Sequence, residues 1–197
     1  MNDAKLKKFI EDYEKLYSRI YRESDNELFK KNAEKFFELY KEFGGKRINL
    51  IMEKGLKQFL KDELLSRIFL GIGCELIVKS IYLKNGYVIN EVDKSRLTKN
   101  IHFPFLIKDI PKSCIKGERT YDFKKLNNNL YNLRPKNVTS EDFNKHIIKP
   151  LEIARIWRNK ETHIGGGYHR ESGEISEIKY ALMNIYNLFF KEKFTSF

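Results

Sequence analysis

Leu64-Leu65-Ser66-Arg67-Ile68-Phe69-Leu70-Gly71-Ile72-Gly73-Cys74-Glu75-Leu76-Ile77-Val78-Lys79-Ser80-Ile81-Tyr82-Leu83-Lys84, closed by Asn85-Gly86, is the most apolar stretch of the chain. Its apolar residues occupy most of the circumference of a helical projection, which predicts a central helix covered by neighbours on nearly all sides. Leu65, Ile68, Ile72, Leu76 and Val78 are expected in the core. Arg67, Glu75 and Lys79 interrupt the run, as in a buried helix and unlike a membrane span. Glycine costs about 1 kcal/mol inside a helix, so Gly71 and Gly73 predict places where another helix comes close. Glu75 and Lys79 form an i, i+4 pair in the better orientation. On so apolar a helix, that pair calls for a further partner, structural or functional.

Working outward, Leu6, Phe9, Ile10, Tyr13, Leu16, Tyr17, Ile20 and Tyr21 repeat at helical spacing and predict an amphipathic helix over 3–22. Ser24 and Asp25 suit the cap of a second helix. Phe29, Ala33, Phe36, Phe37, Tyr40 and Phe43 share one face of it, and Gly44-Gly45 ends it. A short helical stretch is expected over 48–60. Residues 87–120 are the least regular, with Pro104, Pro111 and Gly117 breaking any long pattern. Short helices are expected over 121–133 and, behind a Thr139-Ser140-Glu141-Asp142 cap, up to Lys149. Pro150 suits the first turn of the next helix. Ile175, Ile178, Leu182, Ile185 and Phe189 form the buried stripe of a last helix, with Ser172 or Ser176 as its cap. No long alternating pattern indicates a strand. The expected class is all-α, with an N-terminal helical extension over 1–60 packed on a bundle over 61–197.

The net charge is +11 over 197 residues and the sequence pI is about 9.4. This is the electrostatic footprint of a nucleic-acid binder, although most of the basic residues are lysine and a lysine-rich surface also follows from compositional bias. Cys74 and Cys114 lie far apart and are read as reduced thiols. The chain opens Met1-Asn2-Asp3-Ala4-Lys5 and runs directly into the amphipathic pattern, so no secretory signal is expected; no membrane partner is expected either, and the reduced thiols make the cytoplasm the expected compartment. His102, His146, His163 and His169 show no ligand spacing with the cysteines, and neither metal nor cofactor is expected.

The chemistry-bearing segment is Trp157-Arg158-Asn159-Lys160-Glu161-Thr162-His163, followed by Gly165-Gly166-Gly167. A guanidinium can grip a phosphate as a fork, and an imidazole can move a proton near neutral pH. Asn159 and His163 are four apart and share a helix face, with Arg158 to one side and Arg155 adding a second cation. Lys160 adds a third basic side chain for substrate. A structural reading of the same residues pairs Arg158 with a surface carboxylate and leaves His163 at a helix C-terminus, where the dipole favours a cation.

Taken together, these segments resemble the HEPN superfamily (higher eukaryotes and prokaryotes nucleotide-binding). Residues 75–86, with Glu75-Leu76, Lys79 and a closing glycine, are similar to its central-helix pattern, and Arg158, Asn159 and His163 are similar to its catalytic signature. The segment 97–106, with His102, is similar to its histidine-containing segment. The resemblance spans about residues 64–190. It implies a helical bundle, a homodimer and metal-independent endoribonuclease activity giving 2′,3′-cyclic phosphate and 5′-hydroxyl ends, with Arg158, Asn159 and His163 catalytic. It also implies Arg155, Lys160, Glu75, Lys79 and His102 in substrate binding, RNA as partner, and a toxin or defence setting with an antitoxin or nucleotidyltransferase as a possible second partner. Members that pair with such a nucleotidyltransferase carry a tyrosine two residues after the histidine. Here that position is Gly165, and the nearest tyrosine is Tyr168. Some members have lost catalysis, so the alternative is a non-catalytic module that binds nucleotide, RNA or protein.

Overall fold

The computed structural model describes residues 26–44, 47–97, 101–163 and 172–195 together with Lys8, and for residues 42–44, 47–64, 117–118, 160–163 and 172–173 the backbone alone. The helix expected over 3–22, its Ser24–Asp25 link and the triple glycine fall outside them. The fold is mostly helical. α1 is Asn26–Gly44 and α2 is Arg47–Lys84. A small β-pair follows, β1 Asn90–Val92 against β2 Ile115–Thr120. Then come α3 Phe123–Asn129, α4 Ser140–Phe143, α5 Lys149–His163 and α6 Ser172–Ile185.

α2 holds the centre. Leu70, Cys74, Leu76, Ile77, Val78, Ile81, Tyr82 and Leu83 are all buried. It is longer than the apolar run that identifies it, because Lys61-Asp62-Glu63 contains no helix breaker and the stretch expected separately over 48–60 joins it. A division at residue 60 therefore falls inside one helix. The aromatic stripe of α1, Phe29, Phe36, Phe37 and Tyr40, lies in the same core as α5 and α6. Asn85-Gly86 ends α2 as expected, with Gly86 at φ 76, a left-handed conformation that glycine adopts without penalty.

Both glycines of α2 mark close approaches. A Cβ at Gly73 would lie 2.5 Å from Cε1 of Phe37 on α1, and one at Gly71 would lie 2.7 Å from the Ala154 carbonyl oxygen and 2.6 Å from the Arg158 Cβ on α5. Two neighbours thus reach α2 through positions without a side chain.

The fold is helical as expected, with a small β-pair added to it. β1 and β2 pair antiparallel, and Tyr87 and Leu106 form an isolated bridge beside them. The strands have three and six residues, and β2 reads Ile-Lys-Gly-Glu-Arg-Thr, too short and too polar to alternate visibly. This hairpin covers the C-terminal half of α2, where Tyr82 stacks on Phe103. Earlier along α2, Leu65, Ile68 and Ile72 are half-buried, less covered than Leu76 and Val78.

The expected break before Pro150 is also absent. Thr139 caps α4 through the Asp142 amide, and Asn144–Ile148 form a π-helical turn that runs into α5. Pro150 has no N–H for the carbonyl four residues back. The wider turn, in which the Lys149 amide bonds the Asn144 carbonyl, admits it without ending the helix. Ser172 opens α6 and Ser176 lies inside it, while Ile178, Leu182, Ile185 and Phe189 are buried as expected. Beyond α6, Lys191 in a left-handed conformation turns the chain back across α1. There buried Lys30 bonds Glu192 at 2.5 Å, and Phe194 meets Phe37 edge-on.

Gly71→Ala should destabilise the fold. The gain in helix propensity is about 1 kcal/mol, whereas a methyl against the Ala154 backbone forces α5 outward at about 1–3 kcal/mol. A lowered thermal midpoint is the expected reading; an unchanged or raised one would contradict the close approach.

Candidate active site

α5 is placed by its apolar stripe. Leu151, Ala154 and Trp157 are buried, and the stripe turns the adjacent Arg158 toward Gly71 and Glu75 of α2. There Arg158 Nη1 meets Glu75 Oε2, while the other oxygen of the same carboxylate accepts from Lys79 Nζ at 2.8 Å. Lys79 also donates to Thr120 Oγ1 at the end of β2, at 3.1 Å. The two motifs, 83 residues apart, therefore meet at one carboxylate. Glu75 and Lys79 are almost completely buried, and the Arg158 side chain is 33% exposed. These three side chains carry one positive charge in excess, on the member that reaches the surface.

The carboxylate that pairs with Arg158 is thus a buried one, and the partner that Glu75 and Lys79 call for is in place. Trp157 lies under Arg67 of α2, with the guanidinium 5.5 Å from the ring centroid. Arg155 is held within α5 by a two-point bond to Glu152, with Nε to Oε2 at 2.7 Å and Nη2 to Oε1 at 2.5 Å. This bond and the nearby Asp122 raise the Arg155 pKa further. Its charge is spent on a local pair.

Asn159 is exposed. The α5 backbone extends through Lys160 to His163, whose side chains lie outside the described residues. Positions 158 and 163 are about 140° apart around a helix of 3.6 residues per turn. Position 163 therefore shares the Asn159 face and not the Arg158 face. His102 is exposed on the loop that follows β1. Its neighbour Phe103 packs on Tyr82, two turns along α2 from Glu75, so His102 is not brought to Arg158. His146, in the π-helical turn, packs edge-on to Tyr180 at 5.5 Å.

Cys74 and Cys114 are free and buried, and burial pushes the Cys74 thiol far up. Among the described residues no three His, Cys, Asp or Glu side chains are grouped to hold a metal ion, and no helix is long and apolar enough to cross a membrane.

Sequence reading missed the junction of Glu75 with Arg158 and the Lys79–Thr120 bond. The only signal for either was a charge pair on an apolar helix. Compared with family models, with curated proteins and with solved structures, the chain matches none of them.

The charge balance of the triad fixes an order of stabilities. Glu75→Ala leaves Lys79 buried beside Arg158 with no carboxylate between them and should cost about 3–5 kcal/mol. Arg158→Ala leaves a neutral Glu75–Lys79 pair and should cost clearly less. Denaturant titration of both variants checks this, and equal losses would contradict the shared carboxylate.

Proposed function

We propose that this chain is a metal-independent endoribonuclease of the HEPN kind, acting as a homodimer, with Arg158, Asn159 and His163 as its catalytic groups. The observation that carries the reading is the Glu75 carboxylate. It ties the central-helix motif to the arginine of the second motif and holds that arginine in one orientation with its side chain partly exposed. A planar fork fixed in this way can take a phosphodiester oxygen and stabilise the charge that develops on it.

The reaction is an internal transesterification. The ribose 2′-oxygen attacks phosphorus, its proton passes to a base, the P–O5′ bond breaks, and the departing 5′-oxygen takes a proton. His163 is the group for either proton transfer, and Asn159 orients the imidazole or binds a phosphate oxygen. Because positions 158 and 163 face different sides of α5, two copies meeting across a two-fold axis supply what one copy lacks. The half-covered residues Ile72, Ile68 and Leu65 continue the Glu75 face of α2 at helical spacing and offer apolar surface for that contact. Toxin or defence use, with an antitoxin partner, belongs to the same reading.

The competing reading is a non-catalytic binding module. It draws on the same contact, since a guanidinium bonded to a carboxylate also serves as a structural joint.

Labelled RNA in excess EDTA separates the two. The ribonuclease cuts it with chelator present, and His163→Ala slows cleavage by roughly 10²–10⁴-fold. Arg158→Lys is also damaging, because a point charge replaces a fork. Intact RNA with the wild-type protein, or cleavage at an unchanged rate by the Arg158→Ala/His163→Ala double variant, would overturn the assignment.

A further inference from the structure

Beyond the C-terminal half of α2 lies a second cationic feature that the catalytic reading does not use. Phe103 is at its centre, stacked on Tyr82 at 6.0 Å between ring centroids and edge-on to Tyr121 at 4.8 Å and Phe105 at 5.8 Å. Two lysines from separate segments rest on these rings. Lys125 of α3 places its Nζ 3.6 Å from the Tyr121 centroid and 4.9 Å from that of Phe103. Lys94, just after β1, places its Nζ 5.7 Å from the Phe105 centroid.

Among the described residues neither ammonium is in an ion pair. Partial burial, and then the charge of Lys94, hold the Lys125 amine below its ordinary pKa; Asp122 and Glu91 act against this. An aromatic face compensates a cation only modestly. Two like charges brought together on a partly dry platform are stabilised further by an anion between them.

The platform is linked to the triad through the chain and lies two turns of α2 from it. Tyr121 follows Thr120, which bonds Lys79 of the triad. α3, which carries Lys125, packs against α5. Seven residues of α2, about 10 Å, separate Glu75 from Tyr82, a span that neighbouring phosphates of one strand can bridge.

We propose that Lys94 and Lys125 form a second phosphate subsite, which takes a phosphate of the same single-stranded RNA a short way along the strand from the one at Arg158. This rests on the reading of Arg158 as the scissile-phosphate site. The subsite sets register on the strand and adds affinity without touching the reacting atoms, so Lys94 and Lys125 are positioning residues.

The test compares two double variants that remove the same charge, Lys94→Gln/Lys125→Gln and Lys108→Gln/Lys112→Gln. Lys108 and Lys112 are exposed and rest on no ring. Binding of a labelled single-stranded RNA is measured by anisotropy across a salt series in a His163→Ala background, which keeps the strand intact. The subsite pair should weaken binding about tenfold, some 1.4 kcal/mol, and lower the salt slope by about 0.7, the value for one phosphate of a single strand. The control pair should do markedly less, and Lys125→Arg should retain binding. With His163 present, the subsite variant should raise KM on long strands, leave kcat unchanged, and cut a dinucleotide as the wild type does.

Equal losses from the two pairs, or a loss confined to duplex DNA, would overturn the subsite. The two readings fail separately. RNA left uncut by the wild type, with the binding difference present, removes the ribonuclease and keeps an RNA-binding subsite. Cleavage present, with no difference between the pairs, does the reverse.

Discussion

One carboxylate joins the two motifs of this protein's sequence. Glu75 lies almost wholly buried on the central helix and bonds Lys79 on its own helix and Arg158 on another. Removing either cation from water is costly, and an acid shared between them offsets the cost only if the helices hold their spacing. Gly71 meets that condition: without a side chain there, α5 comes close enough for Arg158 to reach inward. Lys79 extends the junction to β2 through Thr120, so the hairpin, the central helix and α5 are tied at one place. The rest of the core keeps that place rigid. Phe37 packs into the gap at Gly73, and the C-terminal segment folds back over α1 through Glu192 and Phe194.

On the proposed reading, two tasks are separated along one helix. Arg158 is bonded to the buried Glu75 with its side chain partly exposed, whereas Asn159 is exposed and position 163 falls on the Asn159 side of the helix. A general acid or base gains from access to solvent and substrate, and a charge-stabilising group gains from being locked before substrate arrives. The cost is that the two faces of one α5 do not converge. On the proposed reading symmetry would supply the remedy, with a second copy presenting its Asn159 face where the first presents its arginine. The aromatic platform beneath Lys94 and Lys125 extends the same logic along the hairpin. There the cations are held by rings and not by acids, and so keep their charge for a ligand.

Much of this was legible in the residues. Gly71 and Gly73 announced close approaches because glycine in a helix interior is unfavourable without one. The stripes Phe29–Phe36–Phe37–Tyr40 and Ile178–Leu182–Ile185 located α1 and α6 because helical spacing repeats. The buried Glu75–Lys79 pair signalled a missing partner. Its identity was beyond reach, because a contact across 83 residues leaves no local pattern. The β-pair was missed for a related reason: three- and six-residue strands with a single apolar position have no alternation to read. The platform joins Tyr82 of α2 to Phe103, Phe105 and Tyr121 from loops, where spacing carries no period. Leu65, Ile68 and Ile72 are less covered than Leu76 and Val78, a difference beyond the sequence because hydropathy reports what seeks cover and not what provides it.

The central claim is that Arg158 held by Glu75 in one copy works with His163 of another, and complementation between two disabled proteins tests it most directly. Arg158→Ala and His163→Ala chains, each inactive on RNA alone, are unfolded together, refolded as a mixture and assayed with chelator present. Random pairing makes half of the dimers mixed, each with one complete site of two, so about a quarter of the wild-type activity should return. Activity no greater than that of the separate variants, with mixed dimers present, would contradict a shared site.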